Sequence, residues 1–225
     1  MRVRRSVGTV VLLLLVSGCT TSEHGLCPPD GGDQAVFDPA LLGHWSCPAL
    51  GPGQPKDGLR INPDGTLIRF ERHKDGSKAY LITTTDEAGK PSSDPPAVGH
   101  LVPIGNARFL DVLVGDPKSN DEKRHALLKV SGDKDELAVQ LMNPWYFSNH
   151  PTALAHTSWA ASGRIPLVKG QLPEFSIQVP TLTAQSPELR KFLEDHVNDP
   201  ELWPADWTVK CRRSEARPGP DERTR

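Results

Sequence analysis

The chain has no excess of positive charge. Among its 225 residues, 26 Lys and Arg stand against 28 Asp and Glu. A nucleic-acid partner requires a basic face, so no nucleic acid is expected. No apolar run approaches the roughly 20 residues that a helix needs to cross a bilayer core. The longest, residues 7–16, falls well short. Catalytic signatures are missing too. There is no Gly-x-Ser-x-Gly elbow, and none of the eight histidines stands at His-x-x-x-His spacing. His150 and His156 share a loop with Asn149 and Ser158 and could meet His100 or His125 only through the fold. The Pro-Asp-Gly and Asp-Gly pairs lack the oxygen-ligand spacing of a calcium loop and read as turns. No metal, no cofactor and no enzymatic activity are expected.

What is present is 22 prolines and 19 glycines. Such a content of turn formers argues for short elements and few long helices. Alternation of apolar and polar residues supports strands at Gly65–His73, Lys78–Glu87, Ala97–Gly105, Ala107–Gly115, His125–Gly132, Glu136–Asn143 and Phe175–Pro180, with "LLGHWSC" and "DWTVKCRR" at the two ends. "NPDG" (62–65), "KDGS" (74–77) and "GDKD" (132–135) read as the turns between them. Nine or ten short strands at this spacing predict a mainly β fold: an antiparallel up-and-down barrel or closed meander. One helix is expected at about 187–198, with Ser186 as N-cap, Pro187 behind it and an apolar stripe through Leu189, Phe192, Leu193 and Val197. "ALAHTSWAASG" (153–163) reads as a second, weaker helix.

The first residues, Met1-Arg2-Val3-Arg4-Arg5, are basic, and a short apolar run follows. This is the pattern of a secretory signal peptide. The run ends in Val16-Ser17-Gly18-Cys19, which resembles a bacterial lipobox. The resemblance implies cleavage after Gly18, lipidation of Cys19 and anchoring in a bilayer; Thr20 at the next position implies the outer membrane. Two or three acyl chains are needed for a lasting anchor, since one binds only marginally. Removing residues 1–18 leaves 207 residues with 23 basic and 28 acidic side chains, net −5. Residues 19–36, polar and rich in Gly and Pro, read as a lipidated flexible tether, 37–213 as one domain, and 214–225 as a disordered charged tail.

Three cysteines remain, which allows one intramolecular bridge in an oxidising compartment. The expected pair is Cys47–Cys211, each ending a short apolar stretch, with Cys27–Cys47 as the alternative.

Gly43-His44-Trp45 opens the first long strand. A Gly-x-Trp there, a meander of hairpins and a late helix together resemble the lipocalin-like architecture. The resemblance implies that Trp45 closes the barrel base under an arginine, here Arg212 or Arg213; the plainer reading of Trp45 is a large buried aromatic. The "RFLD" strand and the "LTA…PELRKFL" helix also resemble uncharacterised bacterial envelope proteins, which brings no activity. Asp111 and His125 are candidates to meet a polar ligand group if their strand face is the lumen; otherwise Asp111 is a solvent-facing acid paired with Arg108 or Lys129. Trp145, Tyr146 and Phe147 form an aromatic cluster, read as core or as a partner-binding patch. The functional expectation is a membrane-anchored lipoprotein that binds a small, partly apolar ligand without catalysis. The alternative is an accessory or scaffold subunit for another envelope protein, with a filled barrel.

Overall fold

A computed structural model describes residues 20–51, 60–75, 77–85, 96–114, 124–163 and 175–214. Cys19, residues 1–18 with the expected signal peptide, and residues 215–225 with the expected tail lie outside the described residues. The long strands are β2 (Gly43–Gly51), β3 (Arg60–Arg72), β4 (Ala79–Thr85), β5 (Ala97–Ile104), β6 (Ala107–Val114), β7 (Arg124–Gly132), β8 (Glu136–Leu141) and β11 (Thr208–Ser214). Each pairs antiparallel with the next, β6 pairs β7, and β11 closes the ring between β8 and β2. The result is an antiparallel barrel, as expected, closed by eight of the eleven described strands where nine or ten were read from the sequence. A short β1 (Thr21–Ser22) joins the outer edge of β7 and continues into a hairpin of β9 (His156–Gly163) and β10 (Phe175–Leu182). Among the described residues no helix is long and apolar enough to cross a membrane.

The register divides every barrel strand into two faces, because side chains alternate with period two. Trp45 and Cys47 fall in line with Phe70, Tyr80, Ile82, Leu101, Leu110, Val112, Val130, Leu137, Val209 and Cys211, and these form one continuous buried cluster inside the ring. The opposite parity of β5–β7 supplies Val102, Ile104, Phe109 and Leu127 to a second core on the outside of the barrel. That core is completed by the short α1 (Trp145–Asn149) and by α2 (Ser186–Asp195), whose Leu189, Phe192 and Leu193 are all buried. Two-sided burial explains why β5 and β6 read as nearly continuous apolar runs.

Several expectations are corrected. Residues 20–36 are not a flexible tether. Thr20, Thr21, Ser22, Leu26 and Ala35 are buried, Leu26 and Ala35 completely, and Val36 bridges to Leu101 of β5. Glycine and proline here let the chain lie tightly on the barrel, so residues 20–36 belong to the packed domain, which does not begin at residue 37. "NPDG" is no turn either. It falls inside β3, where the β2–β3 register shifts between Cys47 and Ala49, so three residues of β3 bulge against Pro48. The stretch 153–163 holds β9 and not a helix, because its residues find pairing partners all along β10. The late helix begins at Ser186 with Gln185 in the cap position, and residues 196–198 form turns beyond it. It also precedes the eighth barrel strand, whereas the lipocalin resemblance implies a helix after it.

Candidate functional site

One end of the barrel is shut by residues 37–42. Pro39–Leu41 form a single 3-10 turn capped by the Asp38 side chain, which accepts the Ala40 N–H at 2.9 Å. The Trp45 indole N–H donates to the Leu41 carbonyl at 2.8 Å, and the Arg213 guanidinium lies 4.5 Å from the Trp45 ring centroid. Arg213 also donates to the carbonyls of Leu42 (2.7 Å), Ala40 (2.6 Å) and Lys134. A planar cation that stacks on an indole and forks onto carbonyls ties both strand ends to the plug. Trp45 is therefore both a buried aromatic and the base of the barrel. Arg213, and not Arg212, is its partner, because Arg213 pairs with Trp45 across the β11–β2 seam while Arg212 points outward and is exposed.

Sequence reasoning missed the rest of this base. Tyr80 accepts the Asp38 N–H at 2.6 Å and donates to the Asp38 carbonyl at 3.1 Å. Arg108 pairs with the Asp38 carboxylate at 2.6 Å, and Phe37 stacks on Tyr80 with Arg72 over its other face. Burial pushes the Tyr80 hydroxyl up to about 12, so it stays a donor. The available signal was strand parity: Arg72, Tyr80, Arg108 and Arg213 fall on the same face as Trp45.

The Cys47–Cys211 bridge spans the closing seam, its two residues facing each other across β2 and β11. Cys27 is the free thiol, buried in the outer core, which excludes the Cys27–Cys47 alternative.

Not every inward-facing side chain is fully buried. Ile68, Ala97, Val114, Leu128 and Val139 have inward parity, yet they are only partly buried against the lumen cluster. Ala97 and Val114 lie at the ends of β5 and β6 away from Trp45 and Arg213, whereas Ile68 pairs with Trp45 itself.

Asp111 and His125 do not face this lumen. Both lie on the outer face with Phe109 and Leu127, under the N-terminal segment. Asp111, 3% exposed, accepts from His125 Nδ1 at 2.7 Å and from the Leu26 N–H at 2.6 Å. Gly25 permits this approach: a Cβ there would lie 2.8 Å from the His125 ring and 2.9 Å from the Asp111 carboxylate. His100, opposite Asp111 in register, lies against Gly31 in the same way, and burial lowers its basicity. The buried acid is thereby a clamp on residues 24–31 and not a ligand contact. The expected partners are otherwise engaged: Arg108 holds Asp38, and Lys129 donates to the Val197 carbonyl at 2.6 Å.

The Cys27 thiol shares this environment. Burial first, and the Asp111 charge second, push it up to about 12 from 9.0. That leaves roughly a thousandfold less thiolate at neutral pH, and the thiolate is the reactive form. Maleimide labelling of Cys27, followed by intact mass, is expected only after unfolding; labelling of the folded protein at the rate of a free thiol would show that residues 20–36 detach. The sign of the pH effect follows from the raised value. Protonation favours the folded state, so this contribution is complete below about pH 9 and is lost as pH rises toward 12.

His150 and His156 engage other partners. His150 pairs with Glu201 at 2.9 Å, and His156 contacts the Leu154 carbonyl and the Phe147 ring. Among the described residues no group of three or more His, Cys, Asp or Glu is arranged to hold a metal ion. The aromatic cluster divides: Tyr146 and Phe147 are buried in the outer core, while Trp145 is 47% exposed and meets Trp207 edge-on at 5.4 Å. No family model, curated protein or solved structure matches this chain.

Proposed function

We propose that the protein is a lipid-anchored envelope protein that binds a small, partly apolar molecule in the open half of its barrel, without catalysis. The observation that carries this reading is the set of aliphatic residues, Ile68, Ala97, Val114, Leu128 and Val139, that face inward and are not fully covered. Apolar walls over a closed floor are the usual makings of a small-molecule site. The accessory-subunit alternative expects a filled barrel and an exposed aromatic cluster, and it is less well supported, because Tyr146 and Phe147 are buried. The raised pKa of Cys27 makes that thiol a poor nucleophile, in keeping with a non-catalytic role.

Native mass spectrometry of protein purified gently from its host's envelope tests the proposal. A discrete added mass is expected, lost on denaturation and distinct from the lipid on Cys19. Leu128→Gln, placed inside the lumen where side chains are half-buried, is expected to weaken retention of that mass while leaving the far-UV circular dichroism unchanged. The bare lipidated mass, or an adduct indifferent to Leu128→Gln, overturns the ligand reading.

A further inference from the structure

Trp145 and Val36 are the exposed large apolar side chains among the described residues. Trp145 does not stand alone. It follows the mouth end of β8, and Trp207, half-buried, immediately precedes the mouth end of β11, where Thr208 pairs with Gln140 of β8. The two indoles thus form one small patch on the rim of the barrel, at the end opposite Trp45 and Arg213.

The N-terminus comes out near this patch. Thr21 pairs with Ala126 on one edge of β7, and two positions along the same edge Leu128 pairs with Leu141, the last residue of β8. β1 and β8 therefore lie end to end, separated by two strand positions, roughly 7 Å. Thr20 is already buried in the domain. Cys19 is its neighbour in sequence, about 3.8 Å away between Cα atoms.

We infer that Trp145 and Trp207 seat the mouth half of the barrel on the bilayer that holds the lipid of Cys19. The inference rests on the anchored reading above and deepens it by orienting the lumen toward the lipid phase. A diacylglycerol on Cys19 has its glycerol at the headgroup boundary, which brings Thr20, the next residue, close to that boundary. Tryptophan is the side chain best suited to that depth, with an apolar ring and one polar N–H. Two indoles suffice in this setting, because the covalent anchor makes the contact intramolecular and a weak interaction then fixes orientation. Glu201 and Asp206, both exposed and close in sequence to the patch or paired near it, do not favour anionic headgroups. Seating is expected on zwitterionic lipid and independent of salt.

The test uses the full lipidated chain reconstituted in phosphatidylcholine vesicles that carry bromine on the acyl carbons nearest the headgroups. The expected result is loss of part of the tryptophan emission through bromine quenching. That part vanishes in the double variant Trp145→Phe/Trp207→Phe, which keeps an aromatic ring at both positions and so preserves packing. Added salt leaves the quenching unchanged. Equal quenching in the native protein and the double variant overturns the inference. So does a detergent-stable dimer that the double variant loses, which gives the patch to a second copy of the chain. An unmodified Cys19 in the intact mass overturns anchor and seating together. Quenching at the two indoles in a protein that carries no lumen ligand overturns only the ligand reading.

Discussion

Removal of the Cys47–Cys211 bridge is expected to lower stability by about 4–5 kcal/mol on the chain-entropy model, since the bridge closes a loop of well over 100 residues. The two sulfurs join residues 164 apart in sequence, and they do so on neighbouring strands that are the first and last of the ring. Without the link, the denatured chain must bring its ends together for the seam to form, and that entropy is no longer removed in advance. Both cysteines are buried, so Cys47→Ala/Cys211→Ala adds a smaller cost for lost packing. Urea denaturation with and without reductant measures the effect, with the double variant as the reagent-free control. A change below about 1 kcal/mol would mean that the seam strands stay associated in the denatured ensemble, the circumstance in which the entropic account fails.

Trp45→Ala is expected to cost about 3–5 kcal/mol, the range for deleting a large aromatic from a core. Trp45 is fully buried, it is the largest side chain in the lumen cluster, and its N–H fixes the plug through Leu41. Arg213→Ala removes the stacked cation and its bonds to three carbonyls, and its effect should be smaller, because Arg213 is exposed. The informative quantity is the coupling. The double variant should lose less than the sum of the singles, since both act on the same six-residue plug. Arg213→Lys keeps the charge but not the planar fork, and should fall between wild type and Arg213→Ala. Strict additivity would mean that the 4.5 Å stacking in the structure contributes nothing beyond its two halves.

The barrel strands were legible because their information is local. Alternation marks a strand, and Gly132-Asp133 marks the reversal between β7 and β8, although Asp64-Gly65 gave a false turn inside β3. The same alternation explains why Arg213 could be named only together with Arg212: adjacent residues point to opposite faces, and one register decides between them. Asp111 was ambiguous for a related reason. Both faces of β6 are apolar, Phe109 on one and Leu110 and Val112 on the other, so the pattern cannot say which one is inside. What resolves it is the distant cover of residues 20–36 and α2. That cover was itself illegible. "GLCPPDGGDQAV" has the composition of a linker, and only three-dimensional proximity shows that Gly25 and Gly31 are there to clear His125 and His100. The stretch 153–163 failed in the opposite direction. Its alanines favour a helix locally, and the pairing with β10 overrides them.

The position of β11 in the ring also bears on assembly. It is the last of the described strands, yet it lies between β2 and β8. Until Thr208–Ser214 is available, the other seven barrel strands form an open sheet with two unpaired edges, and open edges template intermolecular pairing. Ring closure is thus a long-range event that must follow delivery of nearly the whole folded body, including the inserted hairpin and helices. The vulnerable species in folding is this nearly complete sheet, and the interval before its final strand arrives is when intermolecular pairing has most opportunity.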